Sequence, residues 1–350
     1  MIVFTFTVLV FLVLRFTVTL FNFLSNPKLS AFRPAFAASV SIVIMLRNEE
    51  SNLLNLLDSI KLQDFSNFEV FICYNEMEQH DEETVAQFCR QDARFSMVKG
   101  NLSDYSWIEG RATGNYLMLL DSNTHIHSGL INSLIYRIRV FKLGIISIIP
   151  TQVVNSFRQQ LLVPLSDFML LNMVPLRLVR LFKTPVLSVS NRDCLFLDAQ
   201  KCFSNQWLER IDPRKGPSEL LRTVKQDQEK AEVLLGNTFV YKRPKYNDAE
   251  ALSTASENLK LHFNGNLLVA FLYVFLVVLG PLIILIGFGI NVLVLPIGLI
   301  FLSRVMTAFL TSQNPVYTVL SHPLQMVMLV LIYIKALTRQ LLTSGKQKSQ

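Results

Sequence analysis

The chain has 350 residues, of which 51% are hydrophobic and only 17% charged, and its mean hydropathy is +0.37. Soluble proteins carry about a quarter charged residues, so this composition excludes a wholly soluble protein, a collagen-like chain and a disordered chain. The net charge of +7 suits an anionic membrane surface or an anionic substrate, and no nucleic-acid-binding signature accompanies it. The four cysteines form no CxxC pair, so their spacing suggests neither a zinc site nor a disulfide framework.

Apolar stretches near the two ends of the chain predict membrane-spanning helices. Residues 2–24 are apolar apart from Arg15 and are long enough to cross a hydrocarbon core about 30 Å thick. The alternative is a cleaved signal peptide ending near Ala37, although no basic segment precedes this stretch and signal peptides carry only roughly 7–15 apolar residues. Three further apolar blocks lie towards the C-terminus, at residues 267–288, 290–309 and 316–337. We expect two or three of these blocks to span the membrane.

Basic residues around these stretches predict an orientation. Lys28 and Arg33 follow the first stretch, and only the amino terminus is charged before it, so the positive-inside rule places the central region in the cytoplasm. If all three C-terminal blocks spanned, the basic tail at 339–350 would lie outside, against the same rule. We therefore expect one block to be re-entrant or interfacial. Arg304 and His322 lie within these blocks and predict either a polar path for a lipid or acceptor, or side chains that reach the membrane interface.

The central region alternates between strand patterns and helix patterns, which predicts an α/β fold. A β-branched apolar run at 40–46 is typical of a strand buried on both faces, and leucines at helical spacing follow it. Further apolar strands are predicted at 68–74 and 115–120. Ligands of a parallel sheet bind at the carboxyl ends of its strands. We therefore expect the polar residues after these strands to lie on one rim, at 47–50, 75–78 and 121–124.

Several segments carry a resemblance to a known family. The letters VSIVI at 40–44, RNEESNL at 47–53 and EGRATGNYLMLLD at 109–121 resemble the opening and the DxD region of the family-2 glycosyltransferases. Two further segments, at 191–193 and 322–324, are similar to the membrane-anchored subgroup that includes carotenoid-acid and lipid-directed enzymes. The resemblance covers nearly the whole chain. It implies a GT-A-like mixed, mainly parallel sheet flanked by helices, with one N-terminal and two to three C-terminal transmembrane helices.

These patterns divide the chain into four parts. We expect an N-terminal anchor, a cytoplasmic GT-A-like domain, a set of C-terminal membrane helices and a basic tail. The boundaries are 1–26 for the anchor, 38–264 for the domain, 265–338 for the membrane helices and 339–350 for the tail. Within the domain, 38–127 is the nucleotide-binding half and 128–264 is the acceptor half.

The resemblance implies a nucleotide-diphosphate sugar as donor and a divalent metal, Mn²⁺ or Mg²⁺, as cofactor. Asp121 stands where the first DxD aspartate would be, and Asn123 replaces the second. These two residues are the predicted metal ligands, and we expect weak metal binding because an amide lacks the negative charge of a carboxylate. His125 and His127 follow closely, and they are either additional ligands or solvated surface residues.

The resemblance also implies which residues contact the nucleotide. The loop after the first strand supplies Arg47, Asn48 and Glu49, although acids there also suit the start of an ordinary helix. Asn75 or Glu76 takes the place of an aspartate that the family uses for the nucleobase or ribose. A further nucleotide contact is Arg111, the nearest basic candidate for the diphosphate.

The catalytic base is the largest departure from the family. The subgroup carries a Glu-Asp pair where this chain has Gly216-Pro217. Glu219 lies two residues away and Asp212 is also near, so these two carboxylates are the candidate bases. The alternative is that Pro217 and Glu219 only begin a helix.

We expect a lipid or carotenoid-like acceptor, and no nucleic-acid partner. Residues 161–181 predict either an amphipathic segment in the membrane interface or a core helix of the acceptor half. Two functions remain open: an active membrane-bound glycosyltransferase, and an inactive GT-A-like scaffold that binds nucleotide, lipid or a partner enzyme. The second is motivated by Asn123 and by the missing Glu-Asp pair.

Overall fold

The structure is a computed structural model that describes residues 2–46, 53–77, 79–102, 104–154, 156–185, 191–212, 219–243, 248–263 and 265–347. The chain forms two compact units. The sheet unit comprises Pro27–Val153 and Leu176–Arg243. The membrane unit comprises Met1–Asn26, Val154–Pro175 and Pro244–Gln350.

Helices and strands are numbered in chain order. The strands of the sheet unit are β1 (Val40–Leu46), β2 (Phe68–Tyr74), β3 (Phe95–Lys99), β4 (Tyr116–Asp121), β5 (Thr124–Ile126), β6 (Ile145–Ile149), β7 (Thr151–Gln152), β8 (Cys194–Asp198), β9 (Ala231–Leu235) and β10 (Val240–Lys242). Its helices are α2 (Leu53–Lys61), α3 (Gln79–Gln91), α4 (Leu130–Phe141), α6 (Leu176–Leu181), α7 (Ala199–Ser204) and α8 (Leu220–Gln226). The helices of the membrane unit are α1 (Ile2–Ser25), α5 (Phe157–Met173), α9 (Asp248–His262), α10 (Leu267–Val274), α11 (Gly280–Phe288), α12 (Ile290–Leu310), α13 (Pro315–Leu320) and α14 (His322–Gln347).

A seven-stranded sheet in the order β3-β2-β1-β4-β8-β6-β9 forms the centre of the sheet unit. Every neighbouring pair is parallel except those made by β8, which runs antiparallel to both β4 and β6. All seven residues of β1 are buried, as its continuous apolar run predicts for a strand covered on both faces. The predicted mixed, mainly parallel sheet flanked by helices is therefore confirmed.

A second sheet has three strands in the order β5-β10-β7. β10 pairs antiparallel with β5 and parallel with β7, so that Lys242 lies opposite Thr124 and Gln152. Because β5 begins only three residues after Asp121, this pairing brings Lys242 to the carboxyl end of β4. The small sheet thus positions a basic residue that is far from Asp121 in the chain.

A hydrogen-bond network holds the segment that leads into β4. The Oε1 of Glu69 accepts hydrogen bonds from the hydroxyl of Ser41 at 2.6 Å and from the N–H of Thr113 at 2.7 Å. The N–H of Gly114 in turn donates to the Ser41 hydroxyl at 2.9 Å. A Cβ at position 114 would lie 2.5 Å from the backbone nitrogen of Ser41, so only glycine allows this approach.

Among the described residues, four helices of the membrane unit are long and apolar enough to cross a membrane. They are Ile2–Ser25, Leu267–Gly287, Val292–Leu310 and His322–Leu341. This result confirms one N-terminal transmembrane helix. At the C-terminal end it gives three such helices, the larger of the two expected numbers. The helix Leu267–Gly287 combines α10, a π-helical turn at Phe275–Leu279 and α11. A Cβ at Gly280 would meet Val8 of α1 at 2.8 Å, which is the close packing that small residues allow between membrane helices.

The predicted segment 161–181 is divided between the two units. α5 belongs to the membrane unit, and α6 belongs to the sheet unit. Asn22 of α1 ties α5 to the N-terminal helix, because its Nδ2 donates to the carbonyl oxygens of Leu171 at 2.9 Å and Val174 at 2.8 Å. α9, which the sequence analysis assigned to the acceptor half of the domain, also belongs to the membrane unit.

Candidate functional site

Two aspartates meet at the carboxyl end of β4. The N–H of Asp121 donates to the carbonyl oxygen of Asp193 at 2.9 Å. This contact follows from the strand register, because Leu120 of β4 pairs with Cys194, the first residue of the antiparallel β8. Asp193 is almost fully buried. The site therefore has two acids that are adjacent in space and far apart in the chain.

The loop after β4 holds Asp121 in place. The Oδ1 of Asp121 accepts hydrogen bonds from the backbone N–H and from the Nδ2 of Asn123, both at 3.0 Å. The Thr124 hydroxyl donates to the Asp121 carbonyl at 2.7 Å. Aspartate commonly bonds to the backbone two residues ahead in such turns. The carboxylate is thereby oriented by its own loop.

Two cations compensate the acids. The Nζ of Lys242 forms an ion pair with the carboxylate of Asp193. Burial raises the pKa of Asp121, but the charge of Lys242, the hydrogen bonds from Asn123 and the charge of Arg192 together hold this pKa below its ordinary value. Asp121 is therefore ionised across the physiological pH range.

The oxygen atoms at this site fit a hard divalent cation. Asn123 directs its amide nitrogen at Asp121, and its buried Oδ1 has no hydrogen-bond partner among the described residues. Mg²⁺ and Mn²⁺ prefer carboxylate and amide oxygens, so Asp121 and Asn123 supply suitable donors. Within the described part of the chain, no group of three or more His, Cys, Asp or Glu side chains is arranged to hold a metal ion. Further ligands would have to come from substrate or water, and the nearby charge of Lys242 opposes binding.

The predicted nucleotide contacts are described only in part. Asn75 and Glu76 directly follow β2 and are exposed. They lie on the same rim as Asp121, because Met45 of β1 pairs with both Cys73 and Asp121. The other predicted contacts of the first loop, Arg47, Asn48 and Glu49, lie outside the described residues. Their roles remain predictions.

Arg111 lies in the loop that precedes β4 and is exposed. Its guanidinium carbon is 6.0 Å from the centroid of the Trp107 ring. Burial raises the pKa of the Cys73 thiol to about 11, while the charge of Arg111 acts in the opposite direction. Arg111 is thus close enough to the end of β2 for its charge to act there. Its contact with a diphosphate remains a prediction.

The two candidate bases flank residues 213–218, which lie outside the described part of the chain and include Gly216-Pro217. Glu219 immediately precedes α8, and its carbonyl oxygen accepts a hydrogen bond from the Thr223 hydroxyl at 3.4 Å. α8 is fixed by buried residues such as Leu220, so the backbone of Glu219 has a defined position. Asp212 immediately precedes residues 213–218. A catalytic role for either residue remains a prediction.

The two histidines form an aromatic group beside the site. The ring centroids of His125 and His127 are 5.0 Å apart, and those of His127 and Tyr241 are 5.1 Å apart. Burial lowers the pKa of His125, and the charge of His127 lowers it further by a smaller amount. His127 is exposed. Their alternative role as metal ligands remains open.

The predicted site omitted Asp193, Lys242 and Arg192. A signal for the first and last was present in the Asn191-Arg192-Asp193 motif that carries part of the family resemblance. Lys242 had a weaker signal, since residues 242–246 loosely resemble the family's closing segment before the membrane, in which a basic residue faces the diphosphate or the acceptor. Neither pattern indicates that these residues meet Asp121, because that contact depends on the pairing of β8 and β10.

No family model and no curated relative matches this chain. Among solved structures, it is similar to the mannosyltransferase PcManGT from Pyrobaculum calidifontis in complex with GDP-Man and Mn²⁺, with 13% identity and a TM-score of 0.49 over 95% of this chain and 98% of that chain. It is also similar to TarS from S. aureus, with 17% identity and a TM-score of 0.44. This match covers 63% of the present chain and only 40% of the TarS chain. A shorter TarS, residues 1–349 in complex with UDP-GlcNAc, matches with 13% identity and a TM-score of 0.44 over 89% of this chain and 92% of that chain.

Proposed function

We propose that this chain is a membrane-bound glycosyltransferase that moves a sugar from a nucleotide-diphosphate donor to a lipid-like or other membrane-associated acceptor. The observation that carries the proposal is the meeting of Asp121, Asp193 and Lys242 at the carboxyl end of β4. Parallel sheets bind their ligands at this edge. The site also combines acids with cations, and transfer of a sugar from a nucleotide diphosphate requires positive charge to stabilise the leaving diphosphate. The resemblance of residues 40–53 and 109–121 to family-2 enzymes supports the same function.

The cations bind the diphosphate in this proposal. Lys242 and Arg192 supply positive charge beside Asp121, and Arg111 is a further candidate. Asp193 positions Lys242 through their ion pair. Asp121 and Asn123 would hold a Mn²⁺ or Mg²⁺ ion, which neutralises charge on the leaving diphosphate when it is bound. The nucleobase and ribose would contact the rim residues Arg47, Asn48, Glu49, Asn75 and Glu76.

Glu219 or Asp212 would take the proton from the acceptor hydroxyl as it attacks the sugar. The base test compares Glu219→Gln with Asp212→Asn in a transfer assay. The variant of the true base loses about 10²–10⁴-fold in kcat while nucleotide affinity stays unchanged. Glu209→Gln is the matched control, because Glu209 is an exposed acid of the same region. If both Glu219→Gln and Asp212→Asn retain full activity, neither residue is the base.

The acceptor would reach the enzyme from the membrane, with the sheet unit in the cytoplasm. Lys28 and Arg33 support this orientation through the positive-inside rule. A membrane-impermeant amine reagent tests it on intact cells. The exposed Lys61 of α2 should escape modification until the cells are permeabilised. Modification of Lys61 in intact cells would reverse the proposed orientation.

Nucleotide binding tests the donor site. Calorimetry on the purified full-length protein with UDP and GDP, with and without Mn²⁺, compares the wild type with Asp121→Ala. We expect binding that strengthens with Mn²⁺ and that weakens by about tenfold or more in the variant, because a charged contact at the site is lost. Asp58→Ala is the control, because Asp58 is an exposed acid of α2. If neither nucleotide binds with or without the metal, the transferase proposal is wrong.

A second candidate function is an inactive scaffold that retains nucleotide or lipid binding. It is favoured by Asn123, which occupies the position of the second acid and donates its amide to Asp121. The two functions differ in one result. Nucleotide binding without transfer of labelled sugar to any lipid of the host membrane would support the scaffold, whereas transfer that is lost in Asp121→Ala would exclude it.

A further inference from the structure

Three arginines gather around one buried acid in the sheet unit. Arg137 of α4 and Arg177 and Arg180 of α6 each place a guanidinium nitrogen within 3.4 Å of the carboxylate of Glu232. The side chain of Glu232 is fully buried, whereas those of Arg177 and Arg180 are each 21% exposed. Three positive charges against one negative charge leave the cluster with a net charge of +2. This excess charge lies at the surface of the unit, because only the acid is fully buried.

The surface beside this cluster is basic. Lys142 directly follows α4 and Lys183 follows α6 by two residues, and both lysines are exposed. Neither helix contains an acidic residue, and residues 182–185 contain none either. No acid on these elements therefore offsets the charge of the cluster.

Exposed apolar side chains lie on the same two helices. Val140 of α4 is 51% exposed, and Leu181 and Phe182 at the end of α6 are 66% and 50% exposed. Val140 lies three residues after Arg137, so the two side chains share a face of α4. Leu181 and Phe182 directly follow Arg180 in the chain. The surface thus combines basic and apolar side chains.

One aromatic ring joins the two helices. The guanidinium carbon of Arg137 lies 4.3 Å from the centroid of the Phe141 ring, and that of Arg180 lies 3.8 Å from the same centroid. The C-terminal end of α4 therefore lies against α6, and the two helices form one surface. We call this surface the α4–α6 patch, and it comprises Val140, Arg177, Arg180, Leu181, Phe182 and Lys183.

The patch is joined to the membrane unit by short segments of chain. Only Val174 and Pro175 separate α6 from α5, and the sheet unit begins at Pro27, two residues after the end of α1. α1 is long and apolar enough to span a membrane. A group on a short tether acts at a local concentration in the millimolar range. A surface held in this way binds a membrane even when its intrinsic affinity is low.

We propose that the α4–α6 patch docks the sheet unit on the headgroup region of an anionic membrane leaflet. Arginine and lysine attract anionic headgroups, and exposed apolar side chains enter the boundary between headgroups and acyl chains. The interfacial role that the sequence predicts for residues 161–181 thus falls on α6, whereas most of α5 is buried. The proposal does not depend on glycosyl transfer.

The experiment uses the full-length protein in nanodiscs that hold a single copy, so that a second copy cannot cover the patch. A bimane fluorophore is attached at position 182 through Phe182→Cys, in a Cys89→Ser background because the other three native thiols are buried. Lipids with a nitroxide near the headgroup quench the fluorophore when it enters the membrane. Nanodiscs of phosphatidylcholine are compared with nanodiscs of phosphatidylcholine and phosphatidylglycerol in a two-to-one ratio.

A fluorophore at position 62, attached through Leu62→Cys, is the positional control. Leu62 is 78% exposed and lies beside α2, outside the patch. We expect strong quenching at position 182 in the anionic nanodiscs, less in phosphatidylcholine, and weak quenching at position 62 in both. Salt at about 1 M shortens the screening length to about 3 Å and should reduce the quenching at position 182. These comparisons need no substitution in the arginine cluster.

Substitutions then test each part of the patch. Arg177→Gln with Arg180→Gln keeps the two hydrogen bonds between Arg137 and Glu232 and removes two cations, each of which strengthens membrane binding about fivefold. The ratio of docked to undocked protein should therefore fall by about fivefold or more. Leu181→Gln should lower it by a similar factor, because an apolar contact is lost. The thermal midpoint of each variant, measured in parallel, separates lost docking from lost folding.

Two matched controls should leave docking unchanged. Arg210→Gln removes an arginine of the sheet unit that pairs with Asp227 at 2.6 Å outside the patch, and Leu62→Gln removes an exposed apolar side chain. Quenching at position 182 that is no stronger than at position 62 would overturn the proposal. Quenching at position 182 that does not respond to anionic lipid would overturn it as well, as would equal docking of the wild type and the folded arginine variant.

Discussion

Clustered arginines occur in both units of this protein, half-buried in the sheet unit and buried in the membrane unit, and among the described residues only the cluster of the sheet unit has a carboxylate as its counter-ion. In the sheet unit, Arg137, Arg177 and Arg180 converge on Glu232, with N···O distances of 2.7, 3.4 and 3.1 Å. Glu232 is 0% exposed and lies on β9. In the membrane unit, the contacts of Arg15 and Arg304 are aromatic rings and one imidazole, and no carboxylate pairs with them among the described residues.

This difference shows how each unit manages buried charge. The carboxylate of Glu232 accepts two hydrogen bonds from Arg137 and lies within ion-pair distance of Arg177 and Arg180, so the chain itself supplies the counter-ion of this cluster. In the membrane unit, four guanidinium nitrogens of Arg15 and Arg304 have no hydrogen-bond partner among the described residues, and aromatic rings and one imidazole take the place of a carboxylate. The arginines of the sheet unit are thus held by a carboxylate, and those of the membrane unit by aromatic rings and an imidazole.

The largest expected effect is the loss of the shared carboxylate. Glu232→Gln leaves three guanidinium groups around an uncharged side chain, and breaking a buried ion pair in this way costs about 3–5 kcal/mol of unfolding free energy. Denaturant titration of the purified protein measures it. The control is Glu229→Gln, which removes a partly exposed ion pair with Lys201 and should cost less than about 1 kcal/mol. Equal effects of the two substitutions would mean that Glu232 does not act as a buried counter-ion. The contrast with the membrane unit would then be lost.

The second prediction concerns Arg304, which has no carboxylate partner among the described residues. Arg304→Met replaces a buried cation by an apolar side chain of similar length, and in zwitterionic detergent we expect it to raise the unfolding free energy by roughly 1–4 kcal/mol. Thermal or denaturant unfolding of the purified protein measures the change. A loss of stability would mean that Arg304 is already compensated by the chain.

The third prediction concerns Asp167, the buried acid of α5 in the membrane unit. Burial raises its pKa from 3.8 to about 7, while the hydrogen bond from Gln313 acts in the opposite direction. The folded state therefore holds a proton that the unfolded state releases above pH 3.8. The stabilisation is fully present below that pH and is lost as the pH rises through about 7, with a slope of up to roughly 1.4 kcal/mol per pH unit.

Unfolding measured between pH 4 and 8 tests this dependence, and Asp167→Asn should remove it. The result also bears on the two arginines. If Asp167 were their counter-ion, it would stay ionised in the folded protein and stability would not fall as the pH rises. A flat pH profile in the wild type would mean that Asp167 stays ionised in the folded protein, as expected if it were paired with a cation, and would weaken the comparison between the units.

The smallest effect is expected for an exposed pair. Arg339 and Glu257 of the membrane unit lie 2.7 Å apart, but both side chains are well exposed. Solvent and salt screen such pairs, so Arg339→Gln should change the unfolding free energy by less than about 1 kcal/mol. The same titration at low and high salt measures it. A larger change would indicate that ion pairs of the membrane unit stabilise the fold whether they are buried or exposed.

Part of the site could be predicted from the sequence. Asp121 was placed at the end of a buried strand because the apolar run at 115–120 stops at a polar residue, and a parallel sheet gathers such ends on one edge. The partners of Asp121 could not be found in the same way. Lys242 is 49 residues from Asp193 in the chain, and their ion pair depends on strand pairing that no local pattern indicates.

The sequence by itself determined the membrane helices, the buried strands and the rim that carries Asp121, because apolar runs and their periodicity are local properties of a chain. Only the tertiary structure decided that β8 enters the sheet antiparallel, that Lys242 reaches the acids, and that Arg15 and Arg304 share the ring of Phe168. These contacts join distant segments, and they form only where packing and strand register bring the segments together.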